Sequence, residues 1–108
     1  MDETMIQAAM NVILHAGNAR LKAEEAIEKA KKSQFEEADL FMAQAKEEIT
    51  ESHATQTEII QSEAAGKRHE INILFIHAQD TLMTIMSELK MARQIIDLYK
   101  VIDQKGIL

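Results

Sequence analysis

His77 and Asp80 stand three positions apart inside an otherwise apolar run, Leu74-Phe-Ile-His-Ala-Gln-Asp-Thr-Leu-Met-Thr-Ile-Met86. On a helix that spacing makes them neighbours on one face, with Thr81 and Thr84 beside them. Two kinds of chemistry fit. A histidine–aspartate pair can fix the register of a buried interface, and such structural pairs outnumber catalytic ones. Alternatively, the histidine is itself a nucleophile: a neutral imidazole carries a lone pair and needs no separate base. Other reactive schemes fail on residue type. There is no cysteine, no Gly-x-Ser-x-Gly elbow, no His-Glu-x-x-His pair and no glycine-rich phosphate loop. The four histidines, at 15, 53, 69 and 77, are scattered along the chain.

The elements that must position these groups are helices. The chain has 108 residues, no proline, three glycines and 4% aromatics. Its commonest residues, apart from isoleucine, are strong helix formers. Ser33-Gln-Phe-Glu36 fits a capping box that would open a helix, and Gly66 suits a left-handed helix C-terminus. The spacing predicts helices near 3–31, 34–65 and 69–104 within a single domain, residues 1–108. Their similar lengths and short connections predict an all-α, antiparallel three-helix bundle.

The inward faces follow from three- and four-residue steps. The first helix presents Ala9, Val12, Ala16, Ala19, Ala23, Ala26 and Ala30, with Gly17 beside them. The second presents Phe35, Ala38, Met42, Ala45 and Ile49, then His53, Gln56 and Ile60, with His53 and Gln56 expected as a buried hydrogen-bonded pair. The third presents Ile71, Leu74, Ala78, Leu82, Ile85, Leu89, Ala92, Ile96, Tyr99 and Ile102. That helix also carries a second stripe, Ile73, His77, Asp80, Thr84, Ser87, Met91 and Leu98, flanked by Ile76, Met83 and Ile95. A helix apolar on two faces is buried on two faces. A three-helix bundle has one core, so homo-oligomerisation through the third helix is expected, with closed symmetry.

Eighteen acidic against twelve basic side chains give a net charge of −6, which argues against a nucleic-acid partner. No apolar run reaches the roughly 18–20 residues of a membrane span. Met1-Asp-Glu-Thr lacks the basic start and apolar stretch of a signal peptide, and a cytoplasmic location is expected.

His77-Ala-Gln-Asp-Thr-Leu-Met-Thr84, preceded by His53-Ala-Thr-Gln56-Thr-Glu-Ile-Ile-Gln61 and Ala16-Gly17-Asn-Ala19-Arg20, closely resembles the enzyme IIA subunits of the lactose/cellobiose class. These belong to the bacterial phosphoenolpyruvate-dependent sugar phosphotransferase system. The resemblance implies a homotrimer of nine helices with the third helix of each subunit around the three-fold axis. It implies that His77 accepts a phosphoryl group from HPr and passes it, through Nε2, to a cysteine of a cognate IIB subunit. It also implies that Asp80 faces the axis, where three copies share a divalent cation such as Mg²⁺. Gln79 is a candidate contact for phosphoryl oxygens. One departure stands out: the family commonly has a second histidine where this chain has Thr81.

Competing readings are a histidine-containing phosphotransfer domain of a two-component relay and a non-catalytic helical adaptor. The first usually has a lysine and small residues just after its histidine, where this chain has Gln79, Asp80 and Met83. Met83, Met86 and Met91 fit either a deformable docking surface or core filling. Lys67, Arg68 and His69 read as a solvated turn, and His15 as peripheral.

Overall fold

A computed structural model describes residues 3–69 and 72–106. Three helices follow one another: α1 (Glu3–Lys31), α2 (Phe35–Ala64) and α3 (Ile73–Gln104), with no strand among the described residues. They form the expected three-helix bundle, elongated at 58 × 19 × 18 Å.

The alanine stripe of α1 explains the packing. Ala9, Ala16, Ala19, Ala26 and Ala30 are fully buried, as is Val12. Small side chains let both other helices approach α1 closely. The large core residues come from those two helices: Met42 and Ile59 from α2, and Phe75, Leu82, Ile85 and Ile96 from α3. Contact between α2 and α3 themselves is sparser. A groove of about 670 Å³ stays open between them, lined by Met42, Ile49, Met86 and Leu89 among others. Asp39 crosses it, accepting from Arg93 at 2.9 Å and from Lys100 at 3.0 Å. Arg20 joins α1 to α3 by donating twice to Glu88, at 2.8 and 3.0 Å.

Three local expectations are corrected. Ser33 does not cap α2: its backbone is left-handed, at φ +61°, and Gln34 precedes the helix without a side-chain cap. The Ser33 amide donates to Ala30 and the Gln34 amide to Lys29, so Ser33 closes the end of α1, in the role that Gly66 plays for α2. Its hydroxyl is free for Asp103 of α3 instead, at 2.9 Å. Next, α3 begins at Ile73 rather than 69, because the Asn72 side chain accepts from the Phe75 amide at 2.7 Å and stops the helix there. Ile71, expected on its inward face, lies outside the described residues. Lastly, the inward face of α2 runs through Ser52, Gln56 and Ile59; His53 and Ile60 are exposed. Ser52 is the buried polar group, its hydroxyl donating to the Val12 carbonyl at 3.0 Å.

Candidate functional site

Because α3 starts at Ile73, His77 is its fifth residue and projects from the second turn. Ala78, Leu82 and Ile85 anchor this stretch of helix in the core, each without measurable exposure. His77, Asp80, Thr84 and Ser87 all face outward. The large apolar residues of the second stripe share that exposure: Ile73 is 85% exposed, Met91 60% and Met83 56%. A single chain thus presents a broad apolar band around His77 and Asp80. A band of this kind marks an interaction surface.

The two ionisable groups are not bonded to each other. Neither side chain has a hydrogen-bonding or ionic partner among the described residues. The arrangement is therefore not a satisfied histidine–aspartate pair within one chain. It leaves an imidazole whose lone pair is open to an incoming electrophile.

The residues around it divide by side. Thr81 is half-buried and donates its hydroxyl to the His77 carbonyl at 2.8 Å, a bond back onto its own helix. Gln79 is also half-buried and lines a cavity of about 280 Å³ with Met5, Glu63, His69, Asn72, Phe75 and Ile76. Residues two apart do not share a helix face. Within one chain, then, Gln79 does not lie on His77's side. Met86 packs against the core cluster, whereas Met83 and Met91 are exposed.

The other histidines occupy different settings. The His15 ring meets the Glu48 carboxylate at 2.5 Å, so it has a partner that the sequence did not suggest. The Nε2 of His69 lies 3.0 Å from the Ser62 hydroxyl. His53 is exposed on α2, away from the core it was expected to join.

Among the described residues no three His, Cys, Asp or Glu side chains of one chain come together to hold a metal ion. Asp80 alone offers a single carboxylate. A cation bound there would need the same residue from several copies.

Reading the sequence alone missed Asn72. The signal was present, since asparagine directly before an apolar periodic run is a helix start.

Comparison with known proteins bears on what this face does. The family described as PTS system, lactose/cellobiose specific IIA subunit, matches residues 7–100. The lichenan-specific phosphotransferase enzyme IIA component of Bacillus subtilis (strain 168) is 46% identical over 107 residues, covering 98% of this chain and 97% of the relative. The crystal structure of the PTS cellobiose-specific enzyme IIA from Bacillus anthracis superposes with a TM-score of 0.92. It is 48% identical over 98% of this chain and 97% of that one. Solution structures of the IIA(chitobiose)–HPr complex from Escherichia coli match with a TM-score of 0.81. That chain is 28% identical, with 92% of this chain and 96% of that one covered.

Proposed function

We propose a function that proceeds from one fact: this chain belongs to the lactose/cellobiose-specific IIA subunit family of the sugar phosphotransferase system. It is a phosphotransferase component that carries a phosphoryl group from HPr to a IIB subunit during uptake of a β-linked disaccharide, and His77 is the carrier. The observation that supports His77 is its free, outward imidazole on a helix anchored in the core, inside the motif His77-Ala-Gln-Asp80-Thr-Leu-Met-Thr84.

The steps are those that the family resemblance implies. The Nε2 lone pair of neutral His77 attacks the phosphorus of phosphohistidine in HPr. The donor's N–P bond breaks as the new one forms, and its electron pair stays on the donor ring. In the second step a cysteine thiolate of IIB attacks the same phosphorus. The S–P bond forms while the Nε2–P bond breaks, and the electron pair returns to His77. Little covalent work falls to the protein, so catalysis is mostly positioning and electrostatics. A helix that is pinned through Ala78 and Leu82 supplies the positioning. Gln79, half-buried on another side of α3, has little to support a contact with a phosphoryl group on the same chain's His77.

The exposed band on α3 supports assembly into a homotrimer with that helix around the axis. Asp80 then brings three hard oxygen ligands together, a donor set that suits Mg²⁺. When bound, the ion neutralises carboxylates that would otherwise repel, and no step at His77 runs through it. No described helix is long and apolar enough to cross a membrane. We place the protein in the cytoplasm, where HPr and the IIB subunit are its partners.

Incubation with phosphoenolpyruvate, enzyme I and HPr tests the reading. The parent should accept a phosphoryl group and His77→Ala should not. A His77→Ala protein that labels fully would overturn the assignment.

A further inference from the structure

Lys46 of α2 and Lys90 of α3 stand on opposite walls of the groove that these two helices leave between them. Both are exposed, and neither ammonium has a hydrogen-bonding or ionic partner among the described residues. Acidic side chains outnumber basic ones eighteen to twelve in this chain, and Arg20, Lys29, Lys31, Arg93 and Lys100 each pair with one. Lys46 and Lys90 instead face a groove with an apolar floor, where Met42 is buried and Ile49, Met86 and Leu89 are half-buried. Asp39, the carboxylate in the lining, is already held by Arg93 and Lys100. An anion entering the groove therefore meets two unpaired positive charges and no unpaired negative one.

Size and chemistry fit a small amphiphile. A volume of about 670 Å³, mostly apolar with a few charged side chains, is in the range of small-molecule sites. From Asp39 to Ile49 the groove follows ten residues of α2, about 15 Å at 1.5 Å per residue. At one end the bridges from Asp39 to Arg93 and Lys100 cross it, which leaves no passage for a helix about 10 Å wide. A single alkyl chain needs no such passage. Methionine adapts to irregular apolar contacts, and Met42 and Met86 supply one from each wall. The net charge of −6 repels an anionic membrane surface, which favours a free molecule over a lipid held in a bilayer. Met86 follows His77 by nine residues, two and a half helical turns, so it faces away from that histidine. The groove is thus separate from the His77 site.

We propose that this groove binds a free, single-chain amphiphilic anion, a medium-chain carboxylate, with its chain over Met42, Ile49, Met86 and Leu89 and its head between Lys46 and Lys90. The inference is independent of which residue carries the phosphoryl group.

The probe is sodium decanoate, kept below its micelle-forming concentration and titrated into the full chain with labelled methionine methyl groups. The methionines report position by NMR: Met42 and Met86 line the groove, whereas Met10, Met83 and Met91 are exposed elsewhere. One decanoate per chain should bind, with saturable shifts led by Met42 and Met86. Octanoate should bind more weakly, by up to about fourfold for each methylene removed. Lys46→Gln and Lys90→Gln should each weaken decanoate about threefold, and the double variant about tenfold, with a smaller loss in high salt. Lys32→Gln, exposed outside the groove, should change nothing. All three lysines are exposed, so the variants should melt near the parent. Absence of saturable binding, a double variant equal to the parent, or neutral decanol binding as tightly as decanoate would overturn the proposal. So would shifts led by Met10, Met83 or Met91. Met42 and Met86 signals that move with protein concentration alone would give the groove to a second copy. Signals that move only with anionic vesicles would give it to a bilayer, and either result would overturn the proposal.

Discussion

The Thr81 hydroxyl donates to the backbone carbonyl of His77 at 2.8 Å. The family's usual second histidine is absent from this position, and its replacement spends its only proton on the helix. Thr81 is thus tied to the scaffold rather than to the His77 ring. Thr81→Ala should keep phosphoryl transfer within about tenfold of the parent, near 1.4 kcal/mol of barrier. Stopped-flow or quench-flow transfer rates check this. A loss of several orders of magnitude would give the hydroxyl a part in the chemistry.

Asp39 leads to a prediction about acid stability. The Arg93 guanidinium, hydrogen-bonded to it, holds its carboxyl below the ordinary value of 3.8, with Lys100 adding to the effect. A carboxyl whose pKa is lower in the folded state contributes stability above its unfolded value. That contribution is lost as pH falls through the folded value. Asp39→Asn should therefore flatten the fall of melting temperature between about pH 5 and pH 3, while costing little at pH 7 beyond a surface pair. An unchanged acid slope would show that the Asp39–Arg93–Lys100 cluster does not couple protonation to folding.

Much of this architecture can be read from residue types, and the failures have specific causes. The α1 stripe is legible because its small residues recur in phase from Ala9 to Ala30. Gly66 is legible because a glycine between two helical patterns has few other uses, and it does adopt φ +98°. Ser33 is not, since serine before an acidic residue three positions on looks the same whether it opens one helix or ends another. Only its left-handed backbone tells them apart. On α2 the phase slips because Ile59 and Ile60 are adjacent, and either can be the inward one. One residue turns the helix by 100°, which moves His53 from core to solvent and Ser52 the other way. The site was legible as a motif. Its place on the helix was not, because four residues of error in the start of α3 hide how near His77 is to the helix end.

A third prediction concerns Asp80, which is exposed in the single chain. If α3 surrounds a three-fold axis, three such carboxylates meet in an apolar interface, and each unpaired buried charge costs several kcal/mol. With a divalent cation shared among them, a chelator should weaken the trimer near neutral pH. Asp80→Leu should form a trimer that is chelator-insensitive and at least as stable, with His77 still phosphorylated. Sedimentation and thermal melts of both proteins, with and without chelator, distinguish the cases. An Asp80→Leu variant that dissociates, or a parent indifferent to chelator, would remove Asp80 from the axis.

The central claim is that His77 alone carries the phosphoryl group, and the two outward histidines with no hydrogen-bonding partner among the described residues, His53 and His77, define its test. The parent, His53→Ala and His77→Ala proteins are incubated with phosphoenolpyruvate, enzyme I and HPr. Intact mass and peptide mapping under alkaline conditions then preserve and locate phosphohistidine. The account expects one acid-labile phosphoryl group per chain on the peptide containing His77, in the parent and in His53→Ala, and none in a folded His77→Ala. A label on His53, or full labelling of His77→Ala, would contradict it.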